Sequence, residues 1–309
     1  MNSAEKSKFI KSLAIESGFD FCGIAAARYL DDDARKLSNW LQQGFHGDMQ
    51  YMEKNFDLRV NPYKLVPGAK SVICFLMNYF PERRQDNHTP RVSKYAYGKD
   101  YHEVIRPKLL GMLSRMKEKL GDFHGRGFVD SAPVLERSWA VLSGLGWVGK
   151  NGNLIHKKKG SYYFIATLIT DLILDYDLPE KADYCGTCTR CIDACPTSAI
   201  GSDKNVDGSR CISYFTIELK DLVIPDKMKN SFADWMFGCD ICQDVCPWNR
   251  FAQPSAEPAF QALEEILHFS SQDWEELSEE NFKRIFSDSP LKRAKFAGIK
   301  RNLEFIRKK

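Results

Sequence analysis

The sequence predicts an α+β chain in three parts: an α/β domain built on a central sheet over residues 1–175, a cysteine-stapled module over 176–255, and a short helical C-terminus over 256–309. Three observations predict this. Helix-period and strand-like apolar stretches alternate through the first half, eight of the ten cysteines fall between Cys185 and Cys246, and the C-terminal segment returns to helical spacing. A length of 309 residues with 43% hydrophobic residues is ample for a sizeable core, and the net charge of +3 is too mild to argue for nucleic acid by itself.

Ala4 to Ser17 places Phe9, Ile10, Leu13 and Ala14 on one helical face. Phe21 to Ala27 reads as a buried strand, and Asp32 to Gln43 as a helix through Ala34, Leu37, Trp40 and Leu41, closed by Gly44. Met49 to Lys54 is expected to be a short helix. A turn follows at Arg59-Val-Asn-Pro62, because Pro62 biases Asn61 away from helix. Arg59 is either a functional cation or a solvated, salt-bridged one. Ser71 to Tyr79 is a near-continuous apolar run and hence a central strand, with Cys74 inside it; Cys74 and Cys22 both read as small hydrophobes.

Pro81 to Pro90 is a surface loop, and a long helix then ends near Leu120 with Val104, Ile105, Leu109, Leu110 and Leu113 on its apolar face. Phe128 and Val129 end a strand at Asp130, and a helix is expected from Val134 to Leu145. Asp130 is therefore either a site acid at a strand end or, like Ser131, the N-cap of that helix. Gly144, Gly146 and Gly149 form a G-x-G-x-x-G, but it follows a helix and leads toward the strand Tyr162 to Ile169. That order fits a helix end and a tight loop, not a dinucleotide fingerprint.

The densest signal is Cys185-Gly-Thr-Cys188-Thr-Arg-Cys191-Ile-Asp-Ala-Cys195-Pro196. This is C-x2-C-x2-C-x3-C-P, in which three thiolates grip one cubane cluster and the fourth reaches to a second. Cys239, Cys242 and Cys246 supply a half-motif lacking its first cysteine, and Cys211 can fill the vacancy. By crossed ligation, Cys185, Cys188, Cys191 and Cys246 hold one 4Fe-4S cluster, and Cys195, Cys211, Cys239 and Cys242 the other. Structural zinc is the competing reading, although the triple run has no obvious partition into pairs. A lone redox dithiol needs no third or fourth cysteine.

Phe260 to Phe269, Trp274 to Phe286 and Leu291 to Ile306 read as helices. The last alternates Ala294, Phe296, Ile299, Leu303 and Phe305 with Lys292, Arg293, Lys295, Lys300, Arg301 and Arg307, followed by Lys308 and Lys309. This cationic face is either solvated or turned to a nucleic acid or acidic partner. The N-terminus has no apolar signal region and no run of about 18 apolar residues exists, so a cytoplasmic chain without a membrane span is expected. In that compartment disulfides fail as a reading, and Asn87-His88-Thr89 carries no glycosylation meaning.

Arg59, Asn61-Pro62, Pro67-Gly-Ala-Lys-Ser-Val72, Tyr95-Ala-Tyr-Gly-Lys-Asp-Tyr-His102, Val129-Asp-Ser-Ala-Pro133 and Gly144-Leu-Gly-Trp-Val-Gly-Lys-Asn151 precede the cysteine run in an order that closely resembles the epoxyqueuosine reductase family, from about Phe21 to Arg301. The chain looks like a short form lacking the C-terminal helical-repeat domain of longer members. The resemblance implies a cobalamin-binding catalytic domain over 1–175, a ferredoxin-like domain with two 4Fe-4S clusters over 176–255, and a helical segment over 256–309 with a basic patch facing tRNA. It implies reduction of epoxyqueuosine to queuosine at the wobble position of a tRNA anticodon stem-loop. An external reductase, flavodoxin or ferredoxin would supply the electrons, and the enzyme is expected to be a monomer.

Asp130 matches the family's proton donor, a role that requires a carboxyl still protonated near neutrality, which burial against a corrin would provide. Arg59, Tyr97, Lys150, Asn151 and Ile155 are nominated as corrin contacts alongside Asp130. Asp100-Tyr-His102 lacks the glycine of the Asp-x-His-x-x-Gly pattern that puts a histidine beneath cobalt, since Ile105 stands there. It reads as a helix-start acid and an ordinary histidine, consistent with a cofactor bound without a lower histidine ligand. A reductive dehalogenase would share the corrin and clusters but carries an export signal. A non-catalytic electron carrier would leave the first 175 residues without a role.

Overall fold

Asn2 and Glu5 bond each other's backbone amides, a capping box that opens α1 (Ser3–Glu16) in a computed structural model describing residues 1–86, 88–221 and 223–307. The chain continues through β1 (Phe21–Ala26), α2 (Asp31–Gln42), α3 (Phe56–Val60), α4 (Pro62–Leu65), β2 (Ser71–Asn78), β3 (Arg91–Val92), α5 (Tyr101–Leu120) and β4 (Gly125–Phe128). After these come α6 (Glu136–Leu142), the short strands β5 (Trp147–Val148) and β6 (Leu154–Ile155), and β7 (Tyr163–Thr170). The cysteine module holds α7 (Arg190–Asp193), β8 (Trp235–Phe237) and α8 (Ile241–Asp244). The C-terminal part holds α9 (Glu264–His268), α10 (Ser271–Glu276), α11 (Glu279–Phe286) and α12 (Lys295–Arg307).

The sheet runs β1-β2-β7-β4 and is antiparallel throughout. Side chains alternate across a strand, so the unbroken apolar run of β2 divides between two cores. Ile73, Phe75 and Met77 join Ile10 and Leu13 of α1 and Ile105, Leu109, Met112 and Met116 of α5 on one face. Val72, Cys74 and Leu76 join Ala34 of α2 and Trp139 and Ala140 of α6 on the other. Covering both faces explains why β2 shows no polar alternation although it pairs antiparallel.

Several boundaries differ from expectation for local reasons. Residues 49–54 form turns, and the helix lies at α3, so Arg59 is helical. Asn61 is extended as expected, and its side chain caps α4, whose first residue is Pro62. Leu110 is 67% exposed, the face of α5 having rotated onto Met112 and Met116. The helix expected at 260–269 is a 3-10 turn followed by α9, and the one at 274–286 breaks where Ser278 caps α11. Neither Asp130 nor Ser131 caps α6: it begins after Leu135 with no side-chain cap.

The C-terminal segment has no core of its own. Trp274, Phe282, Phe286, Leu291, Ile299 and Leu303 pack with Val92, Ala96, Tyr97 and the β8 residues Met236 and Phe237. Several of its basic residues engage partners within the chain, while the side chains of Lys292, Arg293 and Arg307 stay exposed at the surface. Lys292 pairs with Asp100 at 3.0 Å and Arg293 with Glu218 at 2.8 Å. Arg301 donates to the carbonyls of Phe215, Leu219 and Asp221, Lys300 to those of Trp274 and Glu275, and Arg307 pairs with Glu275. Lys308 and Lys309 lie outside the described residues, as does Asn87.

The segment contributes to the fold through its apolar face. Leu303→Ala should destabilise the chain by about 2–5 kcal/mol as a core truncation, whereas Arg307→Ala, which breaks an exposed pair, should cost under about 1 kcal/mol. Anaerobic urea unfolding of the two variants measures the contrast.

Candidate active site

The eight cysteines of the module form two neighbourhoods. Cys191 is close enough to Cys185, Cys188 and Cys246 to feel their charges, and Cys246 feels Cys185 and Cys188. Cys211 feels Cys195, Cys239 feels Cys211 and Cys242, and Cys242 feels Cys211 and Cys195. The influence of Cys191 on Cys242 joins the two neighbourhoods. Burial pushes the thiols of Cys191, Cys211, Cys239, Cys242 and Cys246 up, chiefly by penalising the thiolate, and a bound cationic centre would offset that penalty. Among the described residues no three His, Cys, Asp or Glu side chains converge on a single-ion site. Cys74 is fully buried and Cys22 half-buried, both packed with the sheet cores.

The loop carrying Cys239 and Cys242 is bolted to the sheet domain by buried polar groups. Asp240, 1% exposed, accepts from the Ser93 hydroxyl, from the Lys94 amide at 2.8 Å and from Lys94 Nζ at 3.3 Å. Lys94 Nζ also donates to Asp244 at 2.6 Å, as does the Tyr162 hydroxyl. Gln243 bonds the Tyr79 hydroxyl and Ser161, and Asn151 Nδ2 donates to the Cys242 carbonyl at 3.2 Å. Lys150 Nζ straps the other loop, donating to the carbonyls of Gly186 and Cys188 at 2.8 and 3.0 Å. Of the nominated corrin contacts, Lys150 and Asn151 thus hold cluster loops. Tyr97 and Ile155 are 5% and 1% exposed within packing, and Arg59 stands nearer Asp130.

Asp130 sits just past β4 with φ 52°, a left-handed backbone rare for a non-glycine residue. Its amide donates to Glu136 Oε1 at 3.0 Å. The Tyr101 hydroxyl donates to Asp130 Oδ2 at 2.7 Å, with the Tyr101 ring stacked on Phe164 of β7. His102 Nε2 stands 3.6 Å from the same oxygen, too long for a hydrogen bond, and is buried without another partner among the described residues. On its far side His102 Nδ1 meets Asp100 at 2.8 Å, and Asp100 caps α5 and pairs with Lys292. The Asp130 side chain is 64% exposed, yet surrounding protein desolvates its carboxyl.

The protonation states depart from expectation. Crowding pushes the Asp130 carboxyl up, but His102, Tyr101 and the charge of Arg293 outweigh it and hold the carboxyl below its ordinary range. Burial pushes His102 down, and Asp100 and Asp130 together carry it up to about 9. With nothing covering Asp130, its neighbours favour the ionised carboxylate beside a protonated His102. Glu136 rises to about 8 through burial and the neighbouring Asp130 charge. Arg59 is held below its ordinary value by desolvation, its Nε buried and unpaired among the described residues while Nη2 donates to the Tyr51 carbonyl. A concavity of about 660 Å³ lies elsewhere, lined by Thr197, Arg210, Asp221 and Lys227 among others, and brings none of these groups together.

Comparison with known proteins decides the family. A family model described as "4Fe-4S double cluster binding domain" matches residues 184–249, and one described as "Epoxyqueuosine reductase QueG, DUF1730" matches 59–131. An epoxyqueuosine reductase of Cellulophaga algicola is 53% identical over 308 residues, covering 99% of this chain and 100% of the relative. The chain belongs to the epoxyqueuosine reductase family. It is accordingly an oxidoreductase with an iron-sulfur domain. The fold agrees: a Bacillus subtilis epoxyqueuosine reductase with its catalytic aspartate loop swung out of the active site superposes with TM-score 0.91 at 27% identity, over 99% of this chain and 82% of that one. An epoxyqueuosine reductase bound to an epoxyqueuosine-modified tRNA-Tyr stem loop gives TM-score 0.89 at 29% identity, over 99% and 81%.

Sequence reasoning missed Lys94, Asp240, Asp244, Tyr101, Glu136, Lys292 and Arg293. The acids beside Cys239 and Cys242 were the available signal, since charges inside tight cysteine loops must find partners. Lys94→Met strands Asp240 as a buried uncompensated charge, and anaerobic urea unfolding should show a loss of about 3–5 kcal/mol. For His102 the folded pKa is raised, so its stabilising contribution is complete below its ordinary 6.5 and is lost as pH rises through about 9. Thermal melting of the wild type should fall over that window more steeply than that of His102→Gln.

Proposed function

We propose that the chain reduces epoxyqueuosine to queuosine at the wobble position of tRNA, with cobalamin as the reactive centre in residues 1–175 and two 4Fe-4S clusters in residues 176–255 relaying electrons. The observation that carries this reading is that one segment, residues 93–102, bonds both the loop carrying Cys239 and Cys242 and the Asp130 carboxylate. Cys185, Cys188, Cys191 and Cys246 would hold one cluster, and Cys195, Cys211, Cys239 and Cys242 the other, by the crossed spacing of the two cysteine runs. A relative binds the modified tRNA stem loop, and another has a catalytic aspartate loop, which supports tRNA as partner and Asp130 as the acid.

The buried Nε of Arg59, unpaired among the described residues, fits a polar cofactor such as a corrin, which Arg59 would help hold; Lys150 and Asn151 would link that site to the cluster loops, with Tyr97 and Ile155 packed behind. When bound, cobalamin supplies reducing power directed at an epoxide carbon. Asp130 delivers a proton to the epoxide oxygen, and Tyr101 fixes Asp130 Oδ2 while it does so. Covering Asp130 removes water from it, which moves its carboxyl upward, toward the protonated form this role needs. A flavodoxin, ferredoxin or external reductase delivers the electrons to a monomeric enzyme working in the cytoplasm; no described helix is long and apolar enough to cross a membrane.

Anaerobic reconstitution should load about eight irons, the content of two cubanes, and Cys22→Ser or Cys74→Ser should keep them all. Stoichiometric zinc without iron defeats the assignment. Asp130→Asn should slow single-turnover epoxide reduction by about 10² to 10⁴ with cluster loading and cobalamin binding near normal. Turnover of this variant at the wild-type rate would remove Asp130 from the chemistry.

A further inference from the structure

Reduction of an epoxide to an alkene consumes two electrons and two protons and releases water, so a single carboxyl must be reloaded within one turnover. Asp130 has a neighbour placed to do this. His102 Nε2 is buried, has no other partner among the described residues, and faces Asp130 Oδ2 at 3.6 Å, less than 1 Å beyond hydrogen-bond reach. Its other nitrogen is fixed by Asp100 at 2.8 Å, and Asp100 is anchored in turn by the Lys292 ammonium and by the His102 amide. A histidine oriented by a carboxylate on one ring nitrogen and facing a reacting group with the other is the arrangement of an acid-base relay.

We propose that Lys292, Asp100 and His102 form a proton relay behind Asp130, with His102 as the residue that re-protonates it during each reduction. The proposal rests on the functional reading above. In the first step the carbon–oxygen bond of the epoxide breaks and Asp130 gives its proton to the departing oxygen, which remains on the adjacent carbon as a hydroxyl. His102 Nε2–H then transfers its proton to Asp130 Oδ2. In the second step that hydroxyl takes the new proton from Asp130 and leaves as water while the carbon–carbon double bond forms. The two electrons enter from an external one-electron donor through the clusters, and His102 regains its proton from solvent.

The surroundings suit a cationic imidazole. Asp100 from its own helix cap and Asp130 from the loop after β4 carry His102 up to about 9, so it is charged near neutrality. Tyr101 stacks on its ring, and Glu136 behind the Asp130 amide adds a carboxyl to the same field. Arg293 and Lys292 supply opposing positive charge from the turn before α12. Lys292 lowers the proton affinity of Asp100 and keeps the relay's proton on the imidazole.

The test compares wild type, His102→Gln and Asp100→Asn as cluster-loaded protein. Glutamine can still donate to Asp130 but cannot titrate. Without substrate, an NMR titration of the labelled His102 imidazole should give a midpoint near 9 in the wild type, falling toward 6.5 in Asp100→Asn. With cobalamin and modified tRNA, single-turnover reduction by pre-reduced wild type should decline as pH rises through about 9. His102→Gln should be slower by about 10² and flat across the same range. A His102→Gln enzyme that matches the wild-type rate, or one that is slower but keeps the decline, overturns the relay and makes His102 structural. A wild type that leaves the epoxide untouched while the imidazole still titrates near 9 overturns the functional reading and the relay with it.

Discussion

The buried contact of Lys94 with Asp240 and Asp244 is the constraint on which the rest of this molecule depends. Ile241 and Trp248 give the cysteine loops some apolar packing, and buried polar groups add the directional contacts that fix them against the sheet domain. Asp240 is 1% exposed and Lys94 7%, and such charges are tolerable only because each has its partners within 3.3 Å. Ser93, Tyr79, Tyr162 and Ser161 complete a set in which nearly every group is bonded twice. A network satisfied this fully holds one geometry, because any shift leaves a buried charge unmatched.

The same segment reaches Asp130. Ser93 and Lys94 hold the cluster loop, the half-buried Tyr95 lies within the fields of both Asp240 and Asp130, and Asp100, Tyr101 and His102 address Asp130. The C-terminal part closes this arrangement from outside: Lys292 anchors Asp100, and Leu291, Ile299 and Leu303 pack beneath Tyr97 and β8. Residues 93–102 thus touch both the loop carrying Cys239 and Cys242 and Asp130. The tail's basic side chains, committed to Glu218, Glu275 and backbone carbonyls, serve this closure.

What the sequence revealed follows from the range of each interaction. The sheet strands and α1, α2 and α5 were legible because their periodicity reports local packing, and the cysteines because ligation demands spacing. Helix ends around Leu135 and Ser278 were less so, since caps and tertiary contacts decide them. Asp130 was found through its resemblance to the family, but its charge state was not: that depends on His102, 28 positions earlier in the chain, and on Arg293 from the far C-terminus. His102 read as ordinary because nothing local marks a histidine whose partners are Asp100 and a loop beyond the next strand. Lys292 and Arg293 are exposed, as a solvated face would be, and only the fold shows that they pair with Asp100 and Glu218.

On the proposed function, residues 93–102 would align the clusters with Asp130 so that a bound corrin receives electrons while His102 handles protons and does not ligate cobalt. Anaerobic electron paramagnetic resonance of the cluster-loaded protein with added cob(II)alamin tests this most directly. The account predicts a protein-perturbed cobalt signal without nitrogen hyperfine splitting from a histidine ligand, which disappears when the clusters are reduced. A signal split by histidine nitrogen, or one that persists unchanged beside fully reduced clusters, would contradict it.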